Sequence, residues 1–343
     1  MAENRGLALR FIDDVDAPFS QRLALVSKPL APLNKGEVRV KVLASPVNPS
    51  DLVYLRGQYG VPPADAAFAG FEGCGVVVAA NAGLYGKWLV GKRVAIAAKP
   101  GADGVWAEYV TTLASYCLPV RKDIDDVQAS TLIVNPCTVV CLLARAKEIG
   151  TQAVVINAAA SQVGKGLIRL AKMQGVKTIC TVRSQANVAV LRELGADAVL
   201  LTTDEDYPEK LKALAHEWRA RVLLDAVADM DTPSVLRAMP AGSTAIVYGR
   251  LQETRDPLGG RFSVADVIFR RIKIEGFWLA DFMKKASPLK VLSVSRQVQK
   301  LFAEGVFHTD IRGEYGFDDF MPALEHYAEH KSDGKVILRP QQA

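Results

Sequence analysis

The stretch from Ala153 to Gln185 concentrates the residues whose types and spacing can do chemistry. Ala153-Val154-Val155-Ile156-Asn157 is an apolar strand that runs into a turn of small residues, Ala158 to Gly164. Leu167, Ile168, Leu170 and Ala171 follow at helical spacing. Lys177-Thr178-Ile179-Cys180-Thr181-Val182 is a second strand, with Arg183, Ser184 and Gln185 just past its end. A strand that feeds a helix through such a turn offers free backbone N–H groups and the positive end of the helix dipole to an anion. Ala160, Ser161, Gln162, Val163 and Gly164 therefore form a candidate pyrophosphate cradle. The end of the second strand is where a dinucleotide's adenosine ribose is read. A carboxylate there bonds two hydroxyls, whereas an arginine suits a 2′-phosphate, so Arg183 points to NADPH rather than NADH. The bland alternative for Arg183 is a solvated surface charge. The fingerprint G-x-G-x-x-G is thinned to Ala159, Ser161 and Gly164, which keeps small residues for close backbone approach and adds a hydroxyl.

Other chemistry is sparse. The five cysteines, Cys74, Cys117, Cys137, Cys141 and Cys180, show no C-x-x-C spacing and sit mostly among apolar neighbours. That is the pattern of buried thiols in a reducing compartment. His326 and His330 lie four apart, a spacing that can ligate metal, but Glu325, Glu329 and Lys331 around them suit a solvated helix face. No metal site is expected. The formal charge of +5 is spread along the chain, which fits an anionic cofactor or substrate and argues against nucleic acid. No apolar run reaches the roughly 18 residues that span a bilayer, so no membrane role is expected. No signal peptide is visible in Met1-Ala2-Glu3-Asn4-Arg5, and the expected location is cytoplasmic.

These residues need elements to hold them, and a chain of 343 residues is long enough for two domains. The first part reads as β: Leu7–Ile12, Leu23–Ser27, Glu37–Ala44, Gly75–Ala80, Arg93–Ala97 and Trp106–Thr112 are short β-branched runs between Pro- and Gly-containing turns. From about residue 128 the rhythm becomes strand, helix, strand. Val154–Asn157, Thr178–Val182, Ala198–Leu201, Val222–Ala226, Thr244–Tyr248 and Lys273–Gly276 are the predicted parallel strands. Helical patterns at 162–174, 185–194, 207–219, 231–239 and 262–271 separate them. A helix over Leu289–Ala303 and a strand over Gly334–Leu338 return to the first domain. The fold class is α/β: a barrel-like β domain over 1–128 and 300–343, and a doubly wound parallel-sheet domain over 129–299.

This order resembles the medium-chain dehydrogenase/reductase superfamily, with its GroES-like β-barrel and Rossmann domains. The likeness runs through Asn48-Pro49-Ser50-Asp51, Gly70-Phe71-Glu72-Gly73, Ser161-Gln162-Val163-Gly164, Leu194-Gly195-Ala196-Asp197, Ile274-Glu275-Gly276-Phe277-Trp278 and Gly334-Lys335-Val336. Zinc-dependent members carry histidine where this chain has Phe71, and the four-cysteine lobe of a structural zinc is missing. The chain is most similar to the zinc-free branch and its 2-enoyl thioester reductases, through Asn48 to Asp51, Gly57-Gln58-Tyr59, Asn135-Pro136-Cys137-Thr138, Val182-Arg183, Tyr248-Gly249 and Phe277-Trp278-Leu279. Two departures are a bulkier turn at Ala160-Ser161-Gln162 and an apolar run at Val53-Tyr54-Leu55.

The resemblance implies a set of roles. Tyr59, eleven positions after Asn48, corresponds to the assigned proton donor; a loop aromatic beside Gly57 and Gly60 is its other reading. Asn48 and Asn135 are implied at the nicotinamide side of the cofactor, Asn135 being alternatively a helix cap. Tyr248, Gly249, Arg250 and Leu251, with Phe277, Trp278, Leu279 and Ala280, would line the same half, or serve core and dimer packing. Lys335 would reach the cofactor from the returning segment, or remain solvated. The implied reaction is NADPH-dependent reduction of a trans-2-enoyl thioester. A quinone or enone reductase is the alternative, and a non-catalytic NADPH-binding protein the third reading. The pairs Arg270-Arg271 and Lys284-Lys285 are candidates for a phosphate-bearing acyl carrier. A homodimer formed around 273–279 is expected by analogy.

Overall fold

The computed structural model describes residues 3–251 and 259–341. The chain divides into two compact units, one made of the chain up to Val134 and from Gln299 on, the other of Asn135–Val298. The first joint lies beyond the expected residue 128 because helix Asp126–Ser130 packs on strands of the β unit.

The β unit begins with an antiparallel pair, β1 (Glu3–Leu9) and β2 (Leu23–Pro29). Its larger sheet is built on β3 (Glu37–Pro46), β4 (Glu72–Asn81), β5 (Arg93–Ala97), β6 (Tyr109–Leu113) and β7 (Cys117–Pro119). β3 pairs with both β4 and β6, and β5 lies between β4 and β7. Val38, Val40 and Val42 alternate along β3 into a core with Val77, Val94 and Ile96, as period-two burial requires. Between β3 and β4 a short helix, α1 (Pro49–Leu55), starts after Asn48, with Pro49 in its first turn and Asp51 closing a capping box. Sequence periodicity does not reveal this helix, since seven residues are too few to show a 3.6 period, although the Asn-Pro-x-Asp start signal is present.

The second unit is a six-stranded parallel sheet. Its strands are β8 (Ala153–Ile156), β9 (Lys177–Val182), β10 (Ala198–Leu201), β11 (Val222–Asp225), β12 (Thr244–Val247) and β13 (Lys273–Gly276). The order β10-β9-β8-β11-β12-β13 is the 3-2-1-4-5-6 arrangement of dinucleotide-binding folds, so strand order reverses between β8 and β11. β8 and β11 are buried throughout, as central parallel strands are. Helices α2 (Val134–Ile149), α3 (Gln162–Met173), α4 (Ala186–Leu194) and α5 (Val264–Phe269) are those that bear on the site or the surface. Among the six expected parallel strands only edges differ, by a residue, whereas in the β unit the strands expected at Leu7–Ile12, Gly75–Ala80 and Trp106–Thr112 lie at Glu3–Leu9, Glu72–Asn81 and Tyr109–Leu113.

The chain then re-enters the β unit through β14 (Ile311–Tyr315), α6 (Phe317–Glu329) and β15 (Lys335–Leu338). β15 pairs with β3 and with β14. The unpredicted β14 is half-exposed along its length, which leaves little hydrophobic alternation to read.

Candidate active site

In the second unit the turn after β8 has the geometry of an anion cradle. Ser161 caps α3, its side-chain oxygen accepting from the Gly164 N–H at 3.1 Å, which leaves its own proton to donate elsewhere. A Cβ on Gly164 would lie 2.4 Å from the Ala159 carbonyl oxygen, so the close approach of turn and helix requires glycine there. Ala160, Ser161, Gln162 and Val163 are half-buried around this turn.

The switch point itself is tied by a residue that sequence reasoning passes over. Asn157 donates to Asp225 Oδ1 at 2.6 Å and to Asp231 Oδ2 at 2.8 Å, and accepts from the Ala226 N–H at 2.7 Å. Asp225 Oδ1 also accepts from the N–H groups of Val227 and Ala228 at 3.0 and 2.9 Å, and the Thr232 hydroxyl donates to Oδ2. The loop after β11 is thereby drawn tight, with Ala228 and Asp229 at positive φ. A polar residue closing each of two otherwise apolar strands is the signal that could have found this pair.

Past β9, Arg183, Ser184 and Gln185 are exposed, and Arg183 makes no ion pair among the described residues. Tyr248 follows β12 with its hydroxyl buried and unpartnered among the described residues, and burial pushes that phenol's pKa up. Gly249 approaches Ala226 closely, and the Leu251 N–H donates to the Ala226 carbonyl at 2.8 Å. Arg250, read from the sequence as a cofactor contact, donates through two N–H groups to Asp229, at 2.8 and 3.2 Å. The Phe277 N–H donates to the Val247 carbonyl at 2.8 Å, and its ring packs on Phe282. Trp278 is partly exposed at the start of the helix that Leu279 and Ala280 open. Asn135 stands half-buried in the first turn of α2. Of the basic pairs, Arg270 is committed to the carbonyls of Leu236 and Met239, and Lys285 to Asp281.

The β unit holds a buried polar network. Lys335, 1% exposed, donates to the Val47 carbonyl at 2.9 Å, to Asn48 Oδ1 and to the Tyr327 hydroxyl at 3.4 Å. Asn48 donates to Glu72 Oε1 at 2.9 Å, while Glu72 Oε2 accepts from the N–H groups of Ile133 and Val134 at 3.0 and 2.8 Å. Asp51 Oδ2 accepts from the Asn48 N–H at 2.7 Å, and Oδ1 from the Phe71 N–H at 3.1 Å. Burial pushes the carboxyl pKa values of Asp51 and Glu72 up and that of the Lys335 ammonium down, and the opposite charges and backbone N–H groups work against those shifts. Lys335 and Asn48, read from the sequence as cofactor contacts, are buried in this network, where each polar group is paired as a buried charge requires.

Tyr59 lies against this network's outer edge. Its ring centroid is 5.1 Å from Phe71 and 6.3 Å from Tyr54, the latter edge-on, and Tyr54 and Phe71 are themselves 5.1 Å apart. Gly57, at φ 72°, ends α1 in the left-handed conformation and turns the chain so that Tyr59 folds back over the helix's own tyrosine. The Tyr54 hydroxyl accepts from the Ala64 N–H at 3.1 Å, which pins the following loop. Among the described residues no group of three or more His, Cys, Asp and Glu is arranged to hold a metal. His326 stacks on His330 and meets Asp333 at 3.2 Å.

Comparison with known proteins agrees with this architecture. The model for the alcohol dehydrogenase GroES-like domain matches residues 34–122, and that for zinc-binding dehydrogenases matches 163–293. The chain is 30% identical to the mitochondrial enoyl-acyl-carrier-protein reductase of Bos taurus, over 90% of this chain and 82% of that protein. A candidate NADPH:quinone reductase of Mesorhizobium loti superposes with a TM-score of 0.89 at 31% identity, covering 99% of both chains. Etr1p of Candida tropicalis, solved with NADP and crotonyl-CoA, gives a TM-score of 0.81 at 21% identity, over 99% of this chain and 100% of that one, and shares the fold. With barrel unit, 3-2-1-4-5-6 sheet and these relatives in agreement, the chain belongs to the medium-chain dehydrogenase/reductase superfamily and is an oxidoreductase.

Proposed function

We propose that the protein is an NADPH-dependent reductase of an activated carbon–carbon double bond, working without zinc, with a trans-2-enoyl thioester as its substrate class. The observation that carries this reading is the phenol of Tyr59. It is packed against Phe71, the residue that stands where zinc-dependent relatives have a histidine ligand. NADPH, when bound, supplies the hydride that adds to the β-carbon of the enoyl group. The electron pair of the double bond then collects on the α-carbon and thioester oxygen. Tyr59 hydrogen-bonds this enolate and delivers the proton, a general-acid contribution typically of about 10²–10⁴ in rate. Ala160 to Gly164 would hold the pyrophosphate through backbone N–H groups and the Ser161 hydroxyl, and Arg183 would make charge-assisted bonds to the 2′-phosphate.

A second reading, reduction of quinones or enones on the same site, is favoured by the likeness to the Mesorhizobium loti protein. NADPH oxidation measured with crotonyl-CoA and with 1,4-naphthoquinone separates the two. A kcat/KM at least tenfold higher for the thioester is expected, and the reverse ratio would transfer the protein to the quinone class.

A further inference from the structure

We propose that Asp51 is a positioning residue that sets Tyr59 through the two rings it packs against. The proposal rests on Tyr59 as proton donor and adds the group that holds it in place. The two oxygens of Asp51 do different work. Oδ2 accepts from the Asn48 N–H and fixes the start of α1, the helix on which Tyr54 stands one turn later. Oδ1 accepts from the Phe71 N–H and fixes the segment that carries the Phe71 ring. Tyr54, Phe71 and Tyr59 form one three-ring cluster, so a single carboxylate braces both of the rings on which Tyr59 rests.

The brace is rigid for a physical reason. Asp51 is 2% exposed, with no solvent to replace either bond, and the charges of Lys335 and Glu72 act on it from nearby. A buried carboxylate surrounded by fixed donors cannot drift without leaving one of them unsatisfied. Displacement of a reacting group by about 1 Å costs up to about 10²-fold in rate.

The test is a double-mutant cycle on the full-length protein with NADPH and whichever of crotonyl-CoA and 1,4-naphthoquinone is turned over faster. Asp51→Asn is expected to lower kcat about tenfold or more while the Kd for NADPH stays within twofold. In a Tyr59→Phe background the same substitution should change kcat by less than twofold, because a misplaced donor and an absent donor are equivalent. Multiplicative losses in the double variant would overturn the proposal, as would an unchanged kcat in Asp51→Asn. If Tyr59→Phe alone leaves turnover untouched, the donor assignment fails first and the positioning role falls with it. Should Asp51→Asn not fold, Phe71→Leu keeps the backbone N–H on Asp51 and removes only the ring. It is expected to lower kcat about fivefold, again without effect in Tyr59→Phe, and unchanged turnover in it would equally overturn the proposal.

Discussion

Arg183 and Lys335 show how far a residue type alone can be trusted. Both are basic residues that the sequence associates with the cofactor, yet one ends exposed past β9 and the other disappears into the β unit against Val47, Asn48 and Tyr327. The difference lies in the spatial neighbours of each: Arg183 leaves a strand end, whereas Lys335 begins a strand that pairs into a core. Only pairing partners from distant parts of the chain decide that, and they are invisible in a local window. For the exposed residue, Arg183→Ala should raise the KM for NADPH by about tenfold or more and leave that for NADH within about twofold, since only the former carries the 2′-phosphate. Steady-state kinetics with both cofactors check it, and equal effects on the two would remove the phosphate from this position.

At the scale of elements, the parallel strands were legible because each is a short apolar run between helical patterns. The period changes cleanly at every boundary. The short helix α1 and the half-exposed β14 escaped, one for want of length and the other for want of alternation. The brace at Asp51 was half visible: the Asn-Pro-x-Asp start signal can be read, but not the bond from Asp51 to Phe71, twenty residues on. One element carries a surface that sequence reading tied only to its strand. β13 closes one side of the sheet with Ile274 exposed, and α5 just before it leaves Val264 at 72% and Phe269 at 80% exposed, with Val267 and Ile268 also outward. An open strand edge beside apolar side chains is a pairing surface that monomers avoid. A second copy of the chain is the expected occupant. Light scattering on the intact protein should report twice the 37.1 kDa chain mass, and Phe269→Glu should shift it toward the monomer at micromolar concentration. A wild-type monomer at that concentration would leave this edge without its partner.

For the molecule as a whole, the five cysteines form a built-in gauge of integrity. All five are buried and outside any disulfide, and burial pushes Cys74, Cys117 and Cys180 up to about 12 and Cys141 up to about 11. At pH 8 the reactive thiolate of these groups is then on the order of 10⁻³ or less of each thiol. A disulfide reagent at that pH is expected to label the native protein at least about a hundredfold more slowly than the unfolded chain. Fast labelling of any of the four in the native protein would contradict their burial. The same raised values give stability a pH dependence of definite sign. Folded thiols hold their protons where unfolded ones release them, from about 9 upward, so folding stability should decline as pH climbs past that value.

The division of the β unit between the two ends of the chain has its own consequence for synthesis on the ribosome. Asp51 and Glu72 are made before the nucleotide unit, but Lys335, the cation that accompanies them in the interior, leaves the exit tunnel only after that entire unit. The nascent barrel must therefore wait, with two carboxylates it cannot yet bury, while the parallel sheet behind it is already complete and able to fold.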